Sequence, residues 1–224
     1  MWRTRDARRA GKGGAAGPSL CRTGGVRRAR RADRAVCRVS GRRGLDEVDF
    51  RKAGEKDIDV VMGILADGRA ALKALGIDQW QGGYPHRAVV EGDVARGESY
   101  LAEDAGEAVA TVMVGFSGER IYDGIVGGAW LTDSPAADPG YGVVHRVAVS
   151  LAHRGRGAAS FLLEQAEALT WQEGLASVRI DTHPGNLPMR RLLLKRGYVE
   201  CGTVYIDHAE GATPDRVAYE KLLH

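Results

Sequence analysis

Cysteine is scarce in this chain. Only Cys21, Cys37 and Cys201 occur, scattered and odd in number. That pattern frames neither a disulfide scaffold nor a zinc cluster, so a reducing cytoplasmic setting and no bound metal are expected. Long apolar runs are missing as well, which excludes a membrane-spanning helix. The first residues lack the apolar stretch of a secretory signal. No solenoid-length repeat occurs. Acidic residues are nearly missing from the first 44 positions, which hold 14 of the 32 Lys and Arg but 2 of the 29 Asp and Glu, so this segment carries +12 and the remainder −9.

Residues 1 to 45 thus form an Arg/Gly-rich tail with too little apolar surface to offset its ordering entropy, and are expected to be disordered. Apart from Trp2, no aromatic residue interleaves the arginines, so a nucleic-acid-binding arm with a stacking platform is the weaker reading. The stronger readings are a solvated extension or upstream sequence preceding an internal start at Val36, Val39 or Leu45. A start at Met62 would remove the first strand.

What remains, residues 46 to 224, is long enough to bury one full core. Val48 to Arg51 alternates like a short strand. Glu55 to Leu75 places apolar residues at helical spacing and stops at Gly76. GIDQWQGGYP (76–85) is turn-rich, and His86 to Arg96 predicts a second helix. Ser99 to Glu103 and Glu107 to Phe116 form a hairpin across Asp104-Ala105-Gly106. An irregular stretch to 141 follows. Next come a strand from Gly142 to Val149, a helix from Gly155 to Glu173 and a strand from Ser177 to Asp181. Asn186 caps a helix to Arg196, with Pro188 in its first turn and Gly197 after it. Tyr198–Ile206 and Val217–Leu223 close the chain as strands. The order β-α-α-β-β-β-α-β-α-β-β mixes hairpins with crossovers and gives an α/β (α+β) domain around a mixed sheet.

One stretch carries chemistry. VVHRVAVSLAHRGRGAASFLL (143–163) sets Arg154-Gly155-Arg156-Gly157-Ala158-Ala159 between a strand and a helix. The nucleotide-binding P-loop needs Lys and Ser/Thr after its last glycine, and Ala158-Ala159 stand there instead. The dinucleotide fingerprint lacks its third glycine, and too little chain follows for its βαβ units. A glycine-rich turn entering a helix is nevertheless a cradle for an anion. It presents unpaired N–H groups at the positive end of the helix dipole, and glycine keeps Cβ atoms out of the way. Arg154 and Arg156 can add charge-assisted bonds.

The pattern Arg154-x-x-Gly157-x-Ala159 after the VAV strand resembles the acyl-coenzyme A loop of the GNAT superfamily of N-acetyltransferases. HRVAVSLAHRGRGAASFLLEQAE and IDTHPGNLPMRRLLLKRGY resemble that family's two best-marked segments, in order. The resemblance covers roughly residues 46 to 223. It implies a mixed, mostly antiparallel sheet flanked by helices, and an acetyl-CoA-dependent N-acetyltransferase that moves the acetyl group directly to a primary amine. The acceptor would be a small molecule or peptide, and a homodimer is admitted. The alternatives are a GNAT fold that holds acyl-CoA without turnover and a nucleic-acid-associated protein acting through the tail. Cofactor contacts are implied for Val147, Ala148 and Val149 (backbone groups along the pantetheine arm), for Arg154, Gly155, Arg156, Gly157, Ala158 and Ala159 around the pyrophosphate, and for Asn186, which is equally a good N-cap.

Acetyl transfer needs a neutral amine, and a lysine-like amine of pKa ~10.4 is neutral in only about one molecule in 2,500 at pH 7. A general base is therefore expected to help. His145 is the first candidate because strict alternation would put it on one face with Val147 and Val149, and some family members carry His or Glu on this strand. His183, in DTHPGN, is the second, with a turn role as its alternative. The family's usual acid, a tyrosine seven residues after the Asn, is replaced by Leu193. Tyr198 and Tyr205 remain, and Tyr198 matches a structural aromatic. Trp80, Tyr84, Asp78 and Glu103 are the acceptor-site candidates, an aromatic and acidic set suited to a cationic amine.

Overall fold

The computed structural model describes residues 48–207 and 213–224. The Arg-rich tail lies outside them. Strand β1 (Val48–Lys52) leads through a single 3-10 turn to helix α1 (Ile58–Ala74), then to α2 (Arg87–Arg96). Strands β2 (Ser99–Asp104) and β3 (Glu107–Gly115) form the expected hairpin, with Ala105 and Gly106 both at positive φ. Strand β4 (Tyr141–Val149), helix α3 (Ala158–Gln172), strand β5 (Ser177–Thr182), helix α4 (Leu187–Lys195) and strands β6 (Val199–Tyr205) and β7 (Asp215–Leu222) follow. The element order matches the sequence expectation throughout. The one shift that bears on the site is at α3. It begins at Ala158, because Gly155 and Gly157 have φ of 80° and 92° and belong to the loop.

The described strands form one sheet in the order β1-β2-β3-β4-β5-β7-β6. Only β4 and β5 are parallel. Helices α3 and α4 cover one face through Leu162, Leu163, Ala166 and Leu193. On the opposite face, α1 lays Ile58, Val61, Ile64 and Leu65 over the first half of the sheet. Tyr122 and Tyr141 cover the second half on that face. Gly142 has a close-approach reason: a Cβ there would lie 2.2 Å from the Thr170 hydroxyl of α3.

The long connection between β3 and β4 is irregular, as expected, but it is firmly held. Trp130 donates its indole N–H to the Tyr122 carbonyl at 2.7 Å. The backbone N–H groups of Leu131 and Thr132 and the Thr132 hydroxyl donate to the Glu220 carboxylate. Glu220 also pairs with Arg179 at 3.0 Å, and the Arg179 guanidinium lies between the Trp130 and Tyr141 rings, 4.4 and 3.9 Å from their centroids. Such buried polar groups are tolerated because each finds partners.

Candidate active site

Strand β4 carries the irregularity that makes the site. His145 lies opposite Met113 and Ala148 opposite Thr111, so β4 has one residue more than β3 over that interval. This is a β-bulge, and Arg146 takes its strained position at φ 54°. The bulge overturns the expectation that His145 shares a face with Val147 and Val149. Ala148 packs against α1, Val147 and Val149 pack against the α3 side, and His145 sits near the Tyr122 ring on the other face. An inserted residue reverses the alternation beyond it.

Beyond the bulge β4 also parts from β5. Their pairing runs from Tyr141↔Ser177 to Val144↔Ile180 and stops there. The gap opens on a cavity of about 570 Å³. Val147, Ala148, Val149, Arg154, Ala159 and Asn186 line it, as do His145, Glu119, Asp181, Trp80, Tyr84, Arg146 and Arg216. The site thus draws on β4, β5, β7, the loop after β3 and the α1–α2 link.

The start of α3 supplies a cradle. No side chain caps it at Gly157, so its first N–H groups have no acceptor within the helix. A Cβ at Gly155 or Gly157 would meet nothing within 4 Å. Arg154 and Arg156 are exposed and form no ion pair among the described residues. Open space, orphan donors and two cations fit a pyrophosphate. Asn186 caps α4, its side chain accepting from the Met189 N–H at 3.4 Å and donating to the Thr182 hydroxyl at 3.1 Å.

At the bulge, His145 Nε2 lies 3.1 Å from Glu119 Oε2. The hydrogen bond to His145 holds the Glu119 carboxyl below its usual range. An ionised carboxylate only accepts, so in the neutral imidazole the tautomer that fits carries its proton on Nε2 and leaves the lone pair on Nδ1. Nδ1 is 3.8 Å from Asp181 Oδ1, which accepts from the Tyr122 hydroxyl at 2.9 Å. Arg146 pairs with buried Asp93 at 2.8 Å and donates to the Tyr84 hydroxyl. This ties the bulge to α2 and to the α1–α2 link. Burial pushes the Tyr84 phenol up, and only partly does Arg146 oppose it.

Trp80 lines the cavity and also packs on the α1 core, where a Cβ at Gly68 would come within 3.2 Å of the indole. Asp78 and Glu103 are engaged elsewhere. Asp78 accepts the Thr213 N–H and hydroxyl at 2.7 and 2.6 Å, and Glu103 pairs with Arg51 at 2.6 Å. His183 is not among the cavity-lining residues. Its Nδ1 accepts the Gly185 N–H at 2.9 Å and its Nε2 faces Asp78 at 3.2 Å, the turn role named as its alternative. Burial, then Arg216, pushes His183 below its ordinary value. Leu193 and Tyr198 are both buried in the core, and Tyr205 is exposed. Glu119, Asp181, Arg146 and Arg216 carried no sequence signal. They reach the site through long-range contacts that no local pattern announces.

The family profile described as "Acetyltransferase (GNAT) family" matches residues 71–198. The crystal structure of a GNAT-family acetyltransferase from Streptococcus agalactiae is 31% identical, with a TM-score of 0.70 over 82% of this chain and 99% of that one. This chain belongs to the GNAT family of acetyltransferases. A GNAT-family acetyltransferase from Listeria monocytogenes superposes with a TM-score of 0.63 at 19% identity, covering 84% of this chain and 100% of that one. A ribosomal-protein-alanine N-acetyltransferase from Brucella melitensis does so with a TM-score of 0.54 at 18% identity, over 78% and 99%. These last two speak to the fold alone. No curated protein matches the chain significantly. Within this GNAT domain no group of three or more His, Cys, Asp or Glu among the described residues could hold a metal ion, and no described helix is long and apolar enough to cross a membrane.

Proposed function

We propose that this chain transfers an acetyl group from acetyl-CoA directly to a primary amine on a small molecule or peptide, in the cytoplasm. One observation carries the reading: Arg154 and Ala159, on either side of the uncapped, glycine-led start of α3, line the same cavity as His145 of β4 and Glu119 of the loop before it. Bound acetyl-CoA would supply the thioester. Arg154, Arg156 and the α3 N-terminus hold its pyrophosphate, with Gly155, Gly157, Ala158 and Ala159 keeping the backbone accessible. The edge of β4 along Val147, Ala148 and Val149, unpaired on its β5 side, bonds the pantetheine arm. An N–H of that edge also stabilises the oxyanion. Asn186 lies beside the arm.

His145 is the base. Glu119 fixes its tautomer, so Nδ1 takes the amine proton as the C–N bond forms; the thioester C–S bond would break, and the coenzyme would leave as a thiolate that takes up a proton from solvent. Asp181 and Glu119 flank the ring. Positioning by Trp80 and Tyr84 holds the amine in line. His183 acts as a structural latch through Asp78 and Gly185.

The first experiment is a titration of acetyl-CoA into the full chain, followed by thermal unfolding, with NAD and ATP as controls. A ligand at ~100 times its dissociation constant adds about 2.7 kcal/mol. Stabilisation by acetyl-CoA alone is expected; equal shifts with NAD would sink the assignment of the loop. The burial of Leu193 where the family carries tyrosine supports a second reading, a fold that holds acyl-CoA without turnover. Binding of acetyl-CoA with no thiol release across a broad amine panel would favour it.

A further inference from the structure

Most partly or fully buried arginines of this domain face a carboxylate. Arg51 pairs with Asp57 and Glu103, Arg146 with Asp93, Arg179 with Glu220, Arg190 with Glu200 and Arg196 with Glu167. Two do not: half-buried Arg69, which donates to the carbonyls of Gly83, Tyr84 and Pro85, and Arg216, the more deeply buried of the two. Arg216 is 3% exposed and lines the cavity. Its Nη1 donates to the carbonyls of Thr213 and Asp215 at 2.6 and 2.7 Å. Among the described residues it forms no ion pair, and its Nε and Nη2 have no hydrogen-bond partner. Burial pushes this guanidinium below its ordinary value, with Asp181, Asp78 and Asp215 opposing from a distance. A charge so placed costs free energy unless a ligand answers it.

Register puts Arg216 on the substrate side. Asp181 of β5 lies opposite Ala218 of β7, and Arg216 is two residues from Ala218, on the same face. That face also carries Tyr122, with His145 packed beside it. His145 follows directly on the last β4–β5 pair, Val144↔Ile180, and Arg216 lies two strands away and two residues further on. Both side chains line the cavity. Glu119 and Asp181 stand beside His145, and Arg216 lies further along the same face with no carboxylate paired to it.

Resting on the acetyltransferase reading above, we propose that the acceptor is an amine that also carries a carboxylate, and that Arg216 receives the carboxylate while Glu119 and Asp181 receive the amine. The unpaired Nε and Nη2 form the edge of the guanidinium that matches a carboxylate bidentately. A monoanion suits the site better than a phosphate dianion, because Asp181, Asp207 and Glu119 line the same cavity.

The test uses the full chain with acetyl-CoA and three kinds of probe: proteinogenic α-amino acids and dipeptides with free carboxylates, their C-terminal amides, and phosphoethanolamine. Thiol release gives kcat/KM for each. At least one free acid is expected to exceed its amide by about tenfold or more, since a site built for a polar group rejects the analogue lacking it. Arg216→Gln is expected to lose that preference. Arg216→Lys, which keeps the charge and lacks the fork, is expected to lose most of it and guards against a folding defect in the first variant. Both variants should keep their stabilisation by acetyl-CoA. Equal turnover of acid and amide, preference for phosphoethanolamine, or an undiminished preference in Arg216→Gln overturns the carboxylate assignment and leaves the transferase reading standing. Failure of acetyl-CoA to stabilise the wild type overturns both.

Discussion

Arg179 and Arg216 lie on adjacent strands, β5 and β7, and are 0% and 3% exposed. Around Arg179 everything is answered. Glu220 takes its charge, the carbonyls of Thr132 and Ser134 take its remaining protons, and two aromatic rings cover its faces. Around Arg216 only two backbone carbonyls respond. The first region is closed and fixes the loop that carries Glu119 and Tyr122. The second is open toward the cavity. A satisfied buried charge orders a fold, whereas an unsatisfied one stores free energy that a ligand can release.

Arg179→Gln tests the closed region and should have the largest effect. It leaves the Glu220 carboxylate buried without its cation and should destabilise the protein by about 3–5 kcal/mol in denaturant unfolding. His145→Ala tests the dyad that the loop assembles. Transfer should slow by roughly 10²-fold or more, and the acid-side limb of the pH–rate profile should vanish; an unaltered profile removes His145 as base. Gly157→Val should weaken acetyl-CoA binding by about tenfold or more, because a branched side chain enters the cradle. The φ of 92° there also strains any L-residue, by about 1–2 kcal/mol. Gly157→Ala separates the two causes, since it keeps the strain and adds little bulk.

A pH series sharpens the comparison further. Burial alone would raise the Glu220 carboxyl, but Ser177, Thr132 and Arg179 together hold it below its usual range. Its folded value is lowered, so its contribution is complete above about pH 4.3 and is lost as pH falls through the folded value. The stability gap between wild type and Glu220→Gln should therefore narrow in acid; a gap constant from pH 7 to pH 3 would contradict this. Arg216→Gln should have the smallest effect. It strands no carboxylate and removes an unanswered charge, so stability should rise or change by less than about 1 kcal/mol. A loss as large as that of Arg179→Gln would erase the distinction between the two regions.

Local patterns were readable. They located every described strand and α-helix to within a few residues, though not the 3-10 helix at Arg120–Gly124, and Asp104-Ala105-Gly106 marked its turn by composition. The loop at Gly155 and Gly157 was equally legible, because glycine and arginine between a strand and a helix state their own conformational and electrostatic reason. His145 was named from the sequence but placed on the wrong face. HRVAV reads as plain alternation, and the bulge at Arg146 arises from pairing with β3, which the residues of β4 do not announce. Glu119 was invisible because it lies 26 positions before His145, across the long irregular connection between β3 and β4. Asp78 and Glu103 looked available until Thr213 and Arg51 were seen to hold them.

The sequence by itself determined what depends on near neighbours: the order of elements, the glycine-led helix start, the loss of the family tyrosine at Leu193 and the charge split between tail and domain. The tertiary structure decided what depends on strand pairing and burial: the reversal of side-chain faces at Arg146, the parting of β4 from β5, the His145–Glu119 contact and the different surroundings of Arg179 and Arg216. The physical reason is one of range. Backbone propensity and helix termini act over a few residues, whereas register and the satisfaction of a buried charge are set by partners brought in from distant parts of the chain.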